Sequence, residues 1–218
     1  MNENEAIGPH AEFETRLNFV NIYDKSVRAL LSRDSSEPGI HYHLGIVQVA
    51  LALEALVSRI YLEFVYPDLP TTAREGLERH PAESRWYLAP VLIQTLRGRS
   101  PTYFDKGKMP FQGLAELIKF RNTSVHPVPD FVMTGKDERP FISDGDPGDH
   151  LPRRTFWDRK EWPHLRIHMH PECVTRDELR RSYDLFLSLI SELGNMTENL
   201  ISFEWATMPV FTIKALVA

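Results

Sequence analysis

Residues 111 to 127 read FQGLAELIKFRNTSVHP. Phe111, Leu114, Leu117, Ile118 and Val125 recur at three- and four-residue steps, which is the period of one face of a helix. Pro127 cannot continue that helix, and the residue before a proline is disfavoured in the α region, so the helix is expected to stop at about His126. At about 3.6 residues per turn, Arg121 falls between Leu117 and Val125, in a slot where the pattern calls for leucine. An unpaired buried guanidinium is costly, so Arg121 is expected to face a carboxylate, an interface or an anion the size of phosphate. Asn122 and His126 lie on the neighbouring flank, and the three polar groups border one patch. The helix C-terminus favours the protonated form of His126.

Outward from this stretch, the same periodicity recurs. Phe13, Leu17, Val20, Tyr23, Val27 and Leu30 predict a first helix over residues 13 to 31. Ile46, Val49, Leu53, Leu56, Ile60 and Phe64 predict a second, and Val47, Leu51, Tyr61 and Leu62 widen its apolar surface beyond one face, as expected of a core helix. Pro67 and Pro70 end it, and Thr72 followed by Glu75 has the spacing of a capping box for a short helix to about His80. A further segment over residues 82 to 96 contains Pro90, which is expected to kink or divide it. Thr175 and Glu178 form a second capping box, opening a helix whose apolar face runs through Leu179, Tyr183, Phe186, Ile190, Leu193 and Leu200. The last twelve residues, TMPVFTIKALVA, are apolar enough to form a strand or to dock on a partner. These elements predict an all-α, up-and-down helical bundle, a single domain over residues 1 to 218. Residues 127 to 172 are punctuated by Pro and Gly and read as a long irregular insertion before the last long helix.

Arg121-Asn122-x-x-x-His126 resembles the Arg-x4–6-His motif of the HEPN superfamily, and the segment 51 to 57, LALEALV, resembles that family's earlier core helix. The resemblance covers residues 40 to 66 and 110 to 127, while the insertion does not map onto the family. Arg74-x5-His80 and Arg159-x4-His164 share the bare spacing but lack the preceding apolar helix. The resemblance implies a helical bundle, often a homodimer. In active members it implies metal-independent endoribonuclease chemistry, whereas other members are inactive or act as toxin or antitoxin components. Cleavage by 2′-hydroxyl attack needs a proton acceptor, a stabiliser of phosphorane charge and a donor to the leaving oxygen. Arg121, with a planar fork matched to phosphate oxygens, suits charge stabilisation, His126 proton transfer, and Asn122 orientation of the phosphate or the ring. The plainer reading of these residues is a buried ion pair between Arg121 and Glu54 with His126 as a helix cap, and the rival functional reading is a non-catalytic module of the same fold that binds RNA or a partner protein, of the toxin–antitoxin or defence type, through the same patch. Glu54 as an acid/base assistant is the other reading of that residue.

Within the insertion, Arg153, Arg154, Trp157, Arg159 and Lys160, followed by Trp162, interleave basic and aromatic residues in the manner of single-stranded RNA contacts. Asp158 and Glu161 dilute the charge, and a solvated loop with buried tryptophans is the simpler reading. His164, His168, His170 and Cys173 supply zinc-type donors, but H-x3-H-x-H-x2-C matches none of the usual structural spacings. Surface histidines with no metal, and no cofactor, are expected. His41 and His43 stand just before the second helix, where they could approach a cleft.

Composition bounds the rest. A 218-residue chain with 42% hydrophobic and 25% charged residues is in the ordinary globular range. A net charge of −5 argues against a surface coated for non-specific nucleic-acid binding while leaving a local basic site open. The single Cys173 excludes an internal disulfide framework. The apolar run around 44 to 66 is broken by Gln48, Glu54, Ser58, Arg59 and Glu63, and Asn2, Glu3, Asn4 and Glu5 do not begin a secretory signal. A cytoplasmic protein with no membrane span is expected.

Overall fold

The structure, a computed structural model, describes residues 12–16, 18–33, 37–125, 161–169, 171–208 and 210–214. It is mainly helical, in the order β1 (Glu12–Arg16), α1 (Phe19–Leu31), α2 (Ile40–Ile60), α3 (Thr71–Glu78), α4 (Ala82–Leu96), α5 (Phe111–Val125), β2 (Glu161–Trp162), β3 (Ile167–His168), α6 (Arg176–Met196), α7 (Phe203–Thr207) and β4 (Val210–Lys214).

The core is organised by α2, which packs against α1, α4, α5 and α6. Ile46, Ala50, Leu53, Leu56, Val57 and Ile60 are buried, and the helix runs on through a π turn (Tyr61–Val65) and a 3-10 turn (Tyr66–Asp68) that carries Pro67. By length and composition Ile40–Asp68 could cross a membrane, but 61% of its most apolar window is buried inside the fold. The ring N–H of Trp86 in α4 donates to the Leu53 carbonyl at 3.1 Å, so the largest core side chain has its one polar atom satisfied.

Several expected boundaries are corrected. The first helix begins at Phe19, not at 13, because Asn18 caps it by accepting from the Asn21 amide at 3.3 Å. Residues 12 to 16 instead pair antiparallel with β4, Glu12 opposite Lys214 and Arg16 opposite Val210. The apolar C-terminal segment thus supplies a strand. Thr72 does not form a capping box: Pro70 occupies the N-cap with extended backbone, and the helix starts at Thr71. Pro90 does not divide α4, which spans Ala82–Leu96 unbroken. The Thr175–Glu178 capping box forms at the head of α6. That helix ends at Met196 rather than near 200, since Glu198 and Asn199 take left-handed φ of 55° and 62° and turn the chain back.

The turn brings the Ile201 carbonyl over Gly194, where a Cβ would stand 2.6 Å from the oxygen. Gly194→Ala is therefore expected to cost about 1–3 kcal/mol through overpacking against backbone that cannot yield. Gly76→Ala, in the middle of α3 with nothing within 4 Å of its Cβ position, should gain about 0.5–1 kcal/mol. The midpoints of urea unfolding for the two variants and the wild type check both signs.

Three buried carboxylates fasten the elements. Asp24 in α1 accepts from the Tyr183 hydroxyl of α6 at 2.5 Å and from Arg28 Nε at 3.0 Å. Glu116 in α5 accepts from the backbone N–H of His164 at 3.0 and 3.1 Å and of Leu165 at 2.9 Å. Glu178 in α6 accepts from the backbone N–H of Thr175 at 2.6 Å and of His168 at 3.0 Å. The described part of the expected insertion is thereby ordered: β2 and β3 pair antiparallel, Trp162 opposite Ile167, on supports from α5 and α6. The greater part of 127 to 172 lies outside the described residues.

Burial, and then the hydrogen bond to Asp24, pushes the Tyr183 hydroxyl up from its ordinary value of 10.0 to about 12. The neutral hydroxyl is retained in the fold while the unfolded chain ionises first. Its contribution is present below about pH 10 and is lost as pH rises towards 12. Tyr183→Phe should lower the melting temperature at neutral pH and give a shallower decline across that alkaline window, as thermal melts at a series of pH values will show.

Candidate functional site

α5 carries the site because its sequence alternates burial and exposure at helical period. Phe111, Leu114, Leu117 and Phe120 are buried, while Lys119, Asn122 and Thr123 are exposed. Arg121 stands at the seam between the two faces. Its side chain is 21% exposed and reaches across to α2, where Nη2 donates to Glu54 Oε2. Nη1 donates to Asn122 Oδ1 at 2.7 Å. Glu54 is 22% exposed, so the pair sits at the edge of the core rather than sealed within it. Val125, expected on the apolar face, is 49% exposed.

The pairing follows from α2. Glu54 occupies the same stripe as Ala50 and Tyr61, and no aliphatic side chain fills that position against α5. Of the five guanidinium N–H groups, two are used by Glu54 and Asn122. Arg121 Nε is buried with no hydrogen-bond partner among the described residues.

His43 enters from the first turn of α2. It is buried, and its ring lies 4.7 Å from that of Phe120, the residue before Arg121. The sequence placed His41 and His43 before the helix, whereas α2 already begins at Ile40. His41 packs on Tyr42 at 4.0 Å. The signal for His43 was its spacing from Val47, Ala50 and Glu54, which puts it on the α5-facing stripe.

His126, Arg153, Arg154, Trp157, Arg159 and Lys160 all lie outside the described residues. Of the histidine and cysteine cluster, His170 is also outside them. His168 is no simple surface histidine, because its Nδ1 is 2.6 Å from the buried Glu178 carboxylate. The His164 side chain is 43% exposed, with Nε2 at 4.0 Å from Glu116. Cys173 is half-buried. Among the described residues no group of three or more His, Cys, Asp or Glu side chains is placed to hold a metal ion.

Compared with known proteins, the chain matches no family model, no curated protein and no solved structure.

The geometry makes the Glu54–Arg121 interaction a charge-assisted hydrogen bond between two helices, partly screened by solvent. A double-mutant cycle with Glu54→Gln and Arg121→Met is expected to give a coupling of about 0.5–3 kcal/mol. Chemical denaturation of the four proteins measures it, and a coupling indistinguishable from zero would show that the contact does not hold α2 to α5.

Proposed function

We propose that this chain is a HEPN-type metal-independent endoribonuclease, built as an up-and-down helical bundle and acting as a homodimer in the cytoplasm. The observation that carries the reading is the Glu54–Arg121–Asn122 chain of hydrogen bonds, left partly open at the end of α5 directly before His126 in the sequence. Among the described residues Arg121 keeps N–H donors beyond those that Glu54 and Asn122 use, and these suit the non-bridging oxygens of a phosphate. Glu54 fixes the direction of the guanidinium, as a preorganised electrostatic group requires. Asn122 turns its amide towards the same group from the exposed flank. His126 serves as proton donor to the leaving 5′-oxygen.

The second reading is a non-catalytic module of the same fold that binds RNA or a partner protein through this patch. The specific observation in its favour is that Glu54 already neutralises Arg121.

Cleavage of labelled single-stranded RNA in EDTA separates the two. Arg121→Ala and His126→Ala should each lower the rate by about two orders of magnitude or more. Products should end in a 2′,3′-cyclic phosphate and a 5′-hydroxyl, with melting temperatures of the variants measured on the same samples. Absence of cleavage by the wild type across varied RNAs, with a large loss of stability in Arg121→Ala, would establish the structural role instead.

A further inference from the structure

A cleft of about 300 Å³ lies between α5 and the β2 segment. Its walls include Trp162 and Phe111, the lysines Lys106 and Lys119, and the amide of Gln112. We propose that this cleft binds a segment of single-stranded RNA, with a base stacked on Trp162 and phosphates held by Lys119 and Lys106. The proposal deepens the endoribonuclease reading and rests on it for the identity of the ligand.

Position is the first argument. Gln112, Ala115, Lys119 and Asn122 follow one another at three- and four-residue steps along one face of α5. The cleft therefore shares a continuous helix face with Asn122, which is bonded to Arg121. Ten residues separate Gln112 from Asn122, a rise of about 15 Å, the scale of a short oligonucleotide rather than a single nucleotide.

Charge is the second. Two carboxylates, Glu116 and Glu83, also line the cleft. Glu116 is 6% exposed and its oxygens are turned inward onto the backbone N–H groups of His164 and Leu165. The formal charges of the cleft, two lysines and two glutamates, cancel, but with the Glu116 oxygens turned onto those amides the two exposed lysines face Glu83 alone. Lys106 is held in place over the Tyr87 ring, its Nζ 4.0 Å from the centroid. Lys119 is exposed on the same cleft.

Chemistry is the third. Trp162 is partly buried and fixed in β2, opposite Ile167, on a hairpin that Glu116 supports through the next residues. An aromatic platform beside ammonium groups is the arrangement that accepts bases without regard to sequence. A peptide of aspartate and glutamate would satisfy the lysines but brings no aromatic ring to stack on Trp162. The neighbouring cleft of about 380 Å³ is lined by Met109, Leu165, Leu185, Arg181 and Asp184 among others, and offers no such platform.

The test is binding of a fluorescent 2′-O-methyl oligoribonucleotide, which lacks the attacking hydroxyl and so cannot be cleaved by this chemistry. Fluorescence anisotropy should show Trp162→Ala weakening the complex roughly tenfold or more, with Trp162→Phe retaining most of the affinity. Lys106→Ala and Lys119→Ala should each reduce the slope of log Kd against log salt by about 0.7. Glu83→Gln should tighten binding. Unchanged affinity in Trp162→Ala and in Lys119→Glu overturns the proposal, as does a wild type that ignores the oligonucleotide but binds poly-glutamate. Binding with these variant effects but no cleavage of ordinary RNA supports the cleft and overturns the endoribonuclease reading. Cleavage with unaltered binding in every variant overturns the cleft alone.

Discussion

Everything in this protein is arranged on the burial of α2. Its apolar side chains point in more directions than one neighbour can cover, so α1, α4, α5 and α6 must close around it. Each methylene removed from water contributes about 0.8 kcal/mol, and a helix buried on several sides is the largest single source of that free energy in the fold. A polar residue on such a helix carries information, because the default at its position is a hydrocarbon. Glu54 and His43 are the two that face α5, one bonded to Arg121 and the other packed on Phe120.

Carboxylates do the fastening that hydrocarbon cannot. Asp24, Glu116 and Glu178 are almost fully buried, and each is satisfied by several donors. Glu116 and Glu178 accept from backbone N–H groups of a segment too short to bury a core of its own. An unmade bond to a buried charge would be expensive, so these glutamates select one placement of β2 and β3. The far ends of the chain are fastened differently. Asn18 and Arg59 both donate to the carbonyls of Ala206 and Met208, and Arg59 lies over the Trp205 ring at 4.4 Å. This holds α7 beside the start of α1 and leads β4 to its pairing with β1.

Arg121 is where the scaffold meets the proposed chemistry. At the edge of the core it is restrained enough to hold a direction and exposed enough to meet a ligand. The same helix that supplies it also supplies the wall of the cleft beside Trp162, so one rigid element sets the distance between the two.

The sequence by itself determined the helices and the motif. Apolar residues at helical period identified α2, α5 and most of α6, and the Thr175–Glu178 capping box was readable because both of its partners are local. Arg121 stood out because a guanidinium occupied a leucine slot, and Glu54 was among its foreseen partners. What periodicity could not supply was anything decided by a distant partner. Phe13 and Leu17 continue the pattern of α1 perfectly well, yet residues 12 to 16 form a strand because β4, nearly two hundred residues away, completes their hydrogen bonds. Likewise the hairpin in the proline-rich region exists because Glu116 and Glu178 receive its amides, and no local signal marks an amide as the future partner of a carboxylate on another helix. Local hydrogen bonding and side-chain period are written in neighbouring residues. Pairing between remote segments is selected only when the whole core has closed, since only then does an unpaired polar group lose its water.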